Sequence, residues 1–239
     1  MASGQKRGRR GRAVPRQARL RQDRRRRAQG RVLSRLRVGA AAAIAATLAA
    51  ALWWRRNPSA CPYSQRFWVE APHPLITRGR LRDVLSPAVG ETVLEIGPGT
   101  GYYSLDLAAW VGAEGRVELF DIQQEMLDHT MRRGGERGLA NLTATRGDAA
   151  ALPYPDASFD AVVLTTVLGE IPDQRAAMAE VGRVLRPGGR LVVGELFGDP
   201  HFTTPAKVER LGAAAGLAFD RRSGPWLGSF TRLVRPPAG

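Results

Sequence analysis

The sequence of 239 residues contains a single cysteine, Cys61, and only three histidines, which lie far apart. One cysteine cannot form a disulfide bond within the chain, and a structural zinc site needs clustered cysteine and histidine ligands. These shortages exclude a disulfide scaffold and disfavour any metal centre. Because 44% of the residues are hydrophobic, the chain can still bury the core of one α/β domain and carry an extension.

Most of the chain carries no excess of positive charge. Residues 1–37 hold 15 lysine and arginine residues and one acidic residue, whereas residues 38–239 hold 21 of each sign. The formal net charge of +14 therefore describes an N-terminal tail, which we predict to be disordered on its own. Such a tail suits anionic lipid or nucleic acid, or it is only a solvated arm.

Long hydrophobic runs are scarce. Residues 38–54 form an uncharged run of 17 residues, of which nine are alanine and the last two are tryptophan. This length is close to the lower limit for crossing a bilayer, about 17 residues. We predict an apolar helix with three open roles: a membrane anchor, a helix on a membrane surface or against the domain, and a signal sequence. Arginines are denser before the run than after it, which would place the C-terminal part outside the cytoplasm if the helix spans.

Residues 75–239 show short β-rich runs that alternate with helical stretches. This alternation favours a mostly parallel sheet covered by helices on both faces. The last two runs have only a Ser-Gly-Pro turn between them, so an antiparallel hairpin is expected at one edge of a seven-stranded sheet. Strands are predicted at Glu91–Ile96, Arg116–Asp121, Leu142–Arg146, Phe159–Thr165, Arg190–Glu195, Leu217–Asp220 and Ser229–Val234. Helices are predicted at 101–112, 123–138, 173–186 and 204–215, with a Pro-Gly-Gly turn after the third.

A glycine loop follows the first predicted strand. Residues 95–101 have the sequence EIGPGTG, and glycines let the backbone turn tightly and let a ligand approach without a Cβ atom in the way. A dinucleotide-binding loop has the spacing G-x-G-x-x-G, whose third glycine would fall at Tyr102. The observed pattern instead has Glu95 two residues before Gly97. An acid beside the loop suits a cationic ligand better than a pyrophosphate.

Acidic residues also follow the next two strands. Asp121 ends the second strand, where its carboxylate can accept hydrogen bonds from both hydroxyls of a ribose. Asp148 follows the third strand, where its carboxylate and the N–H of Ala149 can contact an adenine edge. Simpler roles remain open for all three acids: Glu95 as a cap of the loop, Asp121 as a helix N-cap and Asp148 as a turn residue.

Four motifs in this order resemble the class I S-adenosylmethionine-dependent methyltransferases, in particular the branch of the ubiquinone/menaquinone-biosynthesis C-methyltransferases. The motifs are VLEIGPGTG, ELFDIQQEML, GDAAALPYPDASFDAVVL and EVGRVLRPGGRLVVGE. The resemblance implies a Rossmann-like, doubly wound fold and S-adenosylmethionine as the cofactor. It gives Glu95 a supporting position or a place beside the ammonium group of the cofactor. It implies cofactor contacts at Gly97, Gly99, Gly101, Asp121, Ile122, Asp148 and Ala149.

The sequence lacks a motif that some classes of methyltransferase have, and this limits which molecules can accept the methyl group. The fourth strand runs into Thr165-Thr166-Val167-Leu168, where enzymes that methylate amino groups of nucleic acids or protein glutamine have Asn/Asp-Pro-Pro-Tyr/Phe. A small-molecule or lipid-like acceptor is predicted, and nucleic acid is disfavoured as substrate. A general base is needed only if the acceptor must lose a proton. Glu170, Asp173 and His201 are candidates, but the sequence favours a surface position for each.

Residues 55–74 connect the apolar run to the domain. Their segment Cys61–Trp68 carries three aromatic residues and Arg66, and it is either a lid over the substrate or a strap on the sheet edge. We expect membrane association through residues 38–54 with the catalytic domain in the cytoplasm, where S-adenosylmethionine is available; a soluble cytoplasmic enzyme is the alternative. Competing functions are an NAD-dependent oxidoreductase, a cofactor-binding protein without turnover and an RNA methyltransferase recruited by the tail.

Overall fold

The computed structural model describes residues 39–50, 53, 56–70 and 73–237. The chain divides after Trp53 into two units, and in the first unit residues 39–50 form an α-helix. The predicted tail, residues 1–37, lies outside the described residues, as does part of the predicted helix over residues 38–54. Within the described part, no helix combines the length and the apolar character needed to cross a bilayer. The predicted membrane-spanning helix finds no support there.

The second unit contains a seven-stranded sheet in its described residues, with the strand order β3-β2-β1-β4-β5-β7-β6. Strands β1 to β5 are parallel, and β7 is antiparallel to both β5 and β6. The predicted sheet, with its antiparallel C-terminal hairpin, is confirmed. The strands are β1 (Thr92–Ile96), β2 (Arg116–Asp121), β3 (Leu142–Arg146), β4 (Phe159–Thr165), β5 (Leu185–Leu196), β6 (Ala218–Ser223) and β7 (Gly228–Val234).

Helices cover both faces of the sheet, which is why the central strands are apolar on both sides. The helices are α1 (Arg66–Glu70), α2 (Arg78–Leu85), α3 (Ser104–Val111), α4 (Gln124–Glu136), α5 (Gln174–Val184) and α6 (Pro205–Ala214). Helices α2, α3 and α4 bury one face together with Val93 and Val163. Helices α5 and α6 bury the other face together with Leu94 and Val162. Neighbouring residues of one strand thus serve two separate cores.

Three elements differ from the sequence pattern, and the first is helix α1, which lies before the domain and was not predicted. Helix α2 was not predicted; it begins where the Thr77 hydroxyl accepts a hydrogen bond from the Arg80 N–H at 3.3 Å, as an N-cap does. Strand β5 begins at Leu185, ahead of the predicted Pro-Gly-Gly turn, because Leu185 already pairs with Phe159. The register then shifts before Ala161, and Gly188, with φ 78°, absorbs the irregularity.

The carboxyl ends of β1, β2 and β4 meet at one edge of the sheet. The chain proceeds outward from β1 to β2 and β3 on one side, and returns to β4 and β5 on the other. A crevice forms where the strand order reverses in this way, and ligands of doubly wound folds bind there. The fold therefore directs attention to the loops after β1, β2 and β4.

Candidate active site

A cavity of about 270 Å³ opens at this edge of the sheet. Its wall combines the loops after β1, β2, β3 and β4 with a short piece of chain from before the domain. The described residues that line it are Ser59, Ala60, Cys61, Ile96, Gly97, Gly99, Phe120, Asp121, Ile122, Gln123, Met126, Gly147, Asp148, Ala149, Thr165, Thr166, Val167, Glu170, Ile171 and Pro172. Six of the eight predicted cofactor residues are therefore brought together, and Glu95 and Gly101 are not part of the wall.

The glycine loop needs its glycines for two reasons. Gly97, Gly99 and Gly101 have φ values of 69°, 55° and 82°, which residues other than glycine rarely adopt. A Cβ atom on Gly97 would also lie 2.3 Å from a methyl group of Val167. On Gly101 it would lie 2.8 Å from the Thr130 methyl group. The loop thus passes close to neighbouring side chains and presents bare backbone to the cavity.

Asp121 lies opposite this loop with its carboxylate at the cavity and only 8% of the residue exposed. Its Oδ1 accepts a hydrogen bond from the Gln123 N–H at 2.8 Å. Burial raises the pKa of Asp121 to about 6, against the opposing effect of backbone N–H groups that include that of Gly99. A carboxylate held in this way is positioned to accept hydrogen bonds from a ligand in the cavity.

Glu95 supports the glycine loop from a buried position outside the cavity wall. It is 2% exposed, and its carboxylate accepts a hydrogen bond from the Ser104 hydroxyl at the start of α3. Burial raises the pKa of Glu95 to about 7. The contact ties the end of β1 to the helix that follows the loop, so the geometry favours the supporting position over direct contact with a ligand.

The turn after β3 completes one side of the cavity. Asp148 is exposed, and its Oδ1 accepts a hydrogen bond from the Ala150 N–H at 2.9 Å, which fixes the turn. Ala149 is buried, and Ile122 after β2 is 54% exposed although it is apolar. An exposed apolar side chain beside two backbone turns can cover the face of a flat ligand.

The three candidate bases occupy different positions in the structure. Glu170 lies in the cavity wall, which corrects the sequence-based preference for a surface position. Asp173 accepts a hydrogen bond from the Ala176 N–H at 3.0 Å and caps α5. The His201 backbone packs against Gly169. Neither Asp173 nor His201 lines the cavity.

The segment before the domain reaches both sides of the cavity. The Cys61 N–H donates to Glu170 Oε2 at 3.3 Å. The Gln123 side chain donates to the Cys61 carbonyl at 2.9 Å and accepts a hydrogen bond from the Tyr63 N–H at 3.2 Å. We refer to residues 59–63 as the strap. Sequence reasoning offered residues 61–68 as a lid or a strap and did not name Gln123 or Thr165 as wall residues, because a motif such as ELFDIQQEML does not show which of its side chains face the cavity.

Strain marks the end of β4. Thr166 has φ 55°, which is uncommon for a residue other than glycine and is often found at functional sites. Its backbone N–H donates to the Gly194 carbonyl at 2.8 Å, which holds the conformation. The turn carries Val167 and Glu170 into the cavity wall.

Buried acids behind this turn lead to a pH prediction. Burial, together with the Asp199 carboxylate, raises the pKa of Glu195 to about 8. Such an acid stabilises the fold fully only below its unfolded pKa, and this contribution is lost as the pH rises through the folded value. We expect the free energy of unfolding to fall between about pH 5 and pH 8, and Glu195→Gln to reduce that fall by about 1–2 kcal/mol.

Urea unfolding of the full chain across this pH range measures the effect. Glu209→Gln, on the half-exposed side of α6, is the matched control and should keep the wild-type profile. Equal pH profiles for Glu195→Gln and the wild type would contradict the prediction.

The strand order, the glycine loop and the buried acid at the end of β2 together define a Rossmann-like, doubly wound domain with a ligand site at the carboxyl edge of its sheet. Residues 93–189 match the family model described as a methyltransferase domain. Over this region the chain is similar to the class I S-adenosylmethionine-dependent methyltransferases, and S-adenosylmethionine is the cofactor of that class.

Curated relatives agree in sequence with the motif-bearing region. The ubiquinone/menaquinone biosynthesis C-methyltransferase UbiE of Cellvibrio japonicus (strain Ueda107) is 42% identical over 113 residues, which are 47% of this chain and 45% of the relative. The enzyme of the same name from Francisella tularensis subsp. novicida (strain U112) is 35% identical over 120 residues, which are 50% of this chain and 48% of the relative. The match spans about half the length of these relatives.

Solved structures agree in fold. A SAM-dependent methyltransferase from Aquifex aeolicus has a TM-score of 0.67 at 20% identity, and the match covers 74% of this chain and all of that one. The cyclase SpnF has a TM-score of 0.60 at 19% identity, covering 67% of this chain and 80% of that one. At these identities the likeness concerns the fold.

Proposed function

We propose that this chain transfers a methyl group from S-adenosylmethionine to a small-molecule acceptor. The observation that carries the proposal is the charge of the cavity wall. Its described residues include Asp121, Asp148 and Glu170 and no lysine, arginine or histidine. A pyrophosphate is bound by backbone N–H groups or cations and is repelled by carboxylates, whereas a sulfonium ion and an ammonium group are stabilised by carboxylates.

The wall residues fit the parts of the cofactor. The Asp121 carboxylate would accept hydrogen bonds from the ribose hydroxyls, and the Asp148 turn with the Ala149 N–H would contact the adenine edge. Ile122 would cover a face of the adenine ring. Backbone at Gly97 and Gly99 would lie against the methionine part of the cofactor.

The bound cofactor supplies a methyl group on positively charged sulfur. The protein has to align the acceptor with that group and keep water away. Val167, Ile171 and Pro172, which follow β4, give this part of the wall an apolar surface, and the strap residues Ala60 and Cys61 also line the cavity. We propose that residues 59–63, the strap, act as a lid over this space and do not only pack on the edge of the sheet.

A small or lipid-like acceptor fits these walls better than a nucleic acid. Among the described residues of the wall, three apolar side chains lie close to Glu170 in the chain, and there is no cation that could bind a phosphate backbone. The curated relatives are named for methylation in quinone biosynthesis, which supports an acceptor of similar character. Because a cyclase, SpnF, shares the fold, the fold alone does not identify methyl transfer. An assay of methyl transfer is therefore needed in addition to a binding measurement.

Calorimetric titration of the full chain with S-adenosylmethionine, and separately with NAD, tests the cofactor. We expect S-adenosylmethionine to bind with a dissociation constant in the micromolar range and NAD not to bind, because its pyrophosphate would face carboxylates. Binding of NAD, or of neither ligand to folded protein, would remove the basis of the proposed function. A radiolabelled methyl group then allows acceptors to be sought in cell extracts.

A further inference from the structure

Glu170 has a defined place in the cavity wall because two neighbours hold its turn, residues Leu168–Glu170. Gly169 packs so closely on His201 that a Cβ atom would lie 1.7 Å from the His201 carbonyl oxygen. From the strap, the Cys61 N–H donates to Glu170 Oε2 at 3.3 Å. The carboxyl group therefore stands between the sheet and the strap, at the cavity.

Negative charges act on Glu170 from two further elements. Asp199, in the loop after β5, and Asp121, at the end of β2, both disfavour its ionised form. Burial and the Asp199 carboxylate raise the pKa of Glu170 to about 8. A cation in the cavity would relieve this repulsion.

The charges behind Glu170 complete its surroundings. Glu195 in β5 lies within electrostatic range of both Asp199 and Glu170, and Lys207 in α6 acts on Glu195. His201 acts on Asp199 and donates its backbone N–H to Asp199 Oδ1 at 2.6 Å. Among these acids, only Glu170 lies in the wall on this side of the cavity.

A second polar group in the same wall points to a ligand independently of the acids. Thr165, at the end of β4, is 9% exposed and lines the cavity. Its hydroxyl has no hydrogen-bond partner among the described residues. A buried hydroxyl is normally paired, so the wall contains a polar position that is left unsatisfied without a bound ligand.

We propose that Glu170 accepts the proton that the acceptor gives up, and that the positive charge of bound S-adenosylmethionine keeps its carboxylate ionised until the methyl group has moved. The inference rests on the proposed function and adds a base to it. The nucleophilic atom of the acceptor bonds to the methyl carbon, the carbon–sulfur bond breaks with its electron pair on sulfur, and the proton of the acceptor bonds to a Glu170 oxygen. The acceptor is then a neutral molecule with a removable proton, such as a phenol or an activated carbon acid.

The charge of the cofactor changes during the reaction, and this change determines when Glu170 is ionised and when it holds a proton. S-adenosylmethionine is cationic at sulfur, and the product S-adenosylhomocysteine is neutral there. A nearby cation lowers the pKa of a carboxyl group, and removal of the cation restores the raised value. Glu170 would therefore be ionised before the transfer and would retain its proton after it.

Proton release on ligand binding tests the inference without any acceptor. The full chain is titrated at about pH 7.5 with S-adenosylmethionine and separately with S-adenosylhomocysteine, in buffers of different ionisation enthalpy. We expect the wild type to release about half a proton more per chain with S-adenosylmethionine. Glu170→Gln keeps an oxygen that can accept the Cys61 hydrogen bond and should lose this difference. Glu195→Gln, which does not alter the wall, should retain it.

The outcomes separate the two proposals. S-adenosylmethionine that binds without extra proton release, or a release that persists in Glu170→Gln, would overturn the role of Glu170 and leave the proposed function intact. No binding to the wild type would overturn the proposed function itself. Circular dichroism checks the fold of each variant, and Glu170→Ser provides a second chain without the carboxylate should the glutamine variant fail to fold.

Discussion

Replacing Asp121 by alanine should weaken the binding of S-adenosylmethionine by about 100-fold or more. The Asp121 carboxylate is held at the cavity by the Gln123 N–H and is only 8% exposed. A hydrogen bond to a charged group contributes about 1.5–3 kcal/mol, and two ribose hydroxyls would share this carboxylate. The loss of even one such bond corresponds to about tenfold or more in affinity.

Calorimetry of the variant against the wild type measures this loss. Asp128→Ala removes a carboxylate from the exposed side of α4, where its partner is the Gln124 side chain, and should leave the affinity unchanged. An unchanged affinity in Asp121→Ala would show that the carboxylate has no part in cofactor binding.

Replacing Arg190 by methionine should lower the free energy of unfolding by about 2–4 kcal/mol, because Glu91, whose side chain is 18% exposed, loses its ion-pair partner and two carbonyls lose a donor. Arg190 is 8% exposed, and its two terminal nitrogens donate to both oxygens of Glu91 at 2.9 and 2.6 Å. It also donates to the carbonyls of Leu85 and Ser86. One side chain thus connects β5 to the end of α2 and to the start of β1.

Urea unfolding followed by circular dichroism gives the size of this effect. Arg186→Met removes an arginine whose ion pair with Asp160 is about half exposed, so its cost should be below about 1 kcal/mol. Replacing Glu91 by leucine together with Arg190→Met should recover part of the loss, because no buried charge then remains unpaired. A cost for Arg190→Met equal to that of the control would contradict the account.

Local patterns were sufficient for most of the fold. The strands at the centre of the sheet are short apolar runs, and β1 ends before a glycine and β2 at an acid, so their positions follow from a few adjacent residues. Helix α2 has eight residues, as does the predicted α3, and it escaped prediction because it follows a segment without periodicity. The start of β5 was misplaced because its pairing with Phe159 depends on a distant strand.

The glycine loop and Asp121 could be predicted because each is a sequence signal at the end of a strand. Glu95 illustrates the limit of such signals: the motif names it, but only the structure shows it bonded to Ser104 behind the loop. A motif gives the residue types, whereas the direction of a side chain depends on what packs against it.

The sequence by itself determined the order of strands and helices, the glycine loop and the acids after β2 and β3, because these depend on periodicity and on residues that are close in the chain. Only the tertiary structure decided that Glu170, Thr165 and Cys61 border one cavity. Cys61 and Glu170 are 109 positions apart, and no local pattern carries information over that separation. Their contact arises because parallel strands bring their carboxyl ends to one edge, where a preceding segment crosses them.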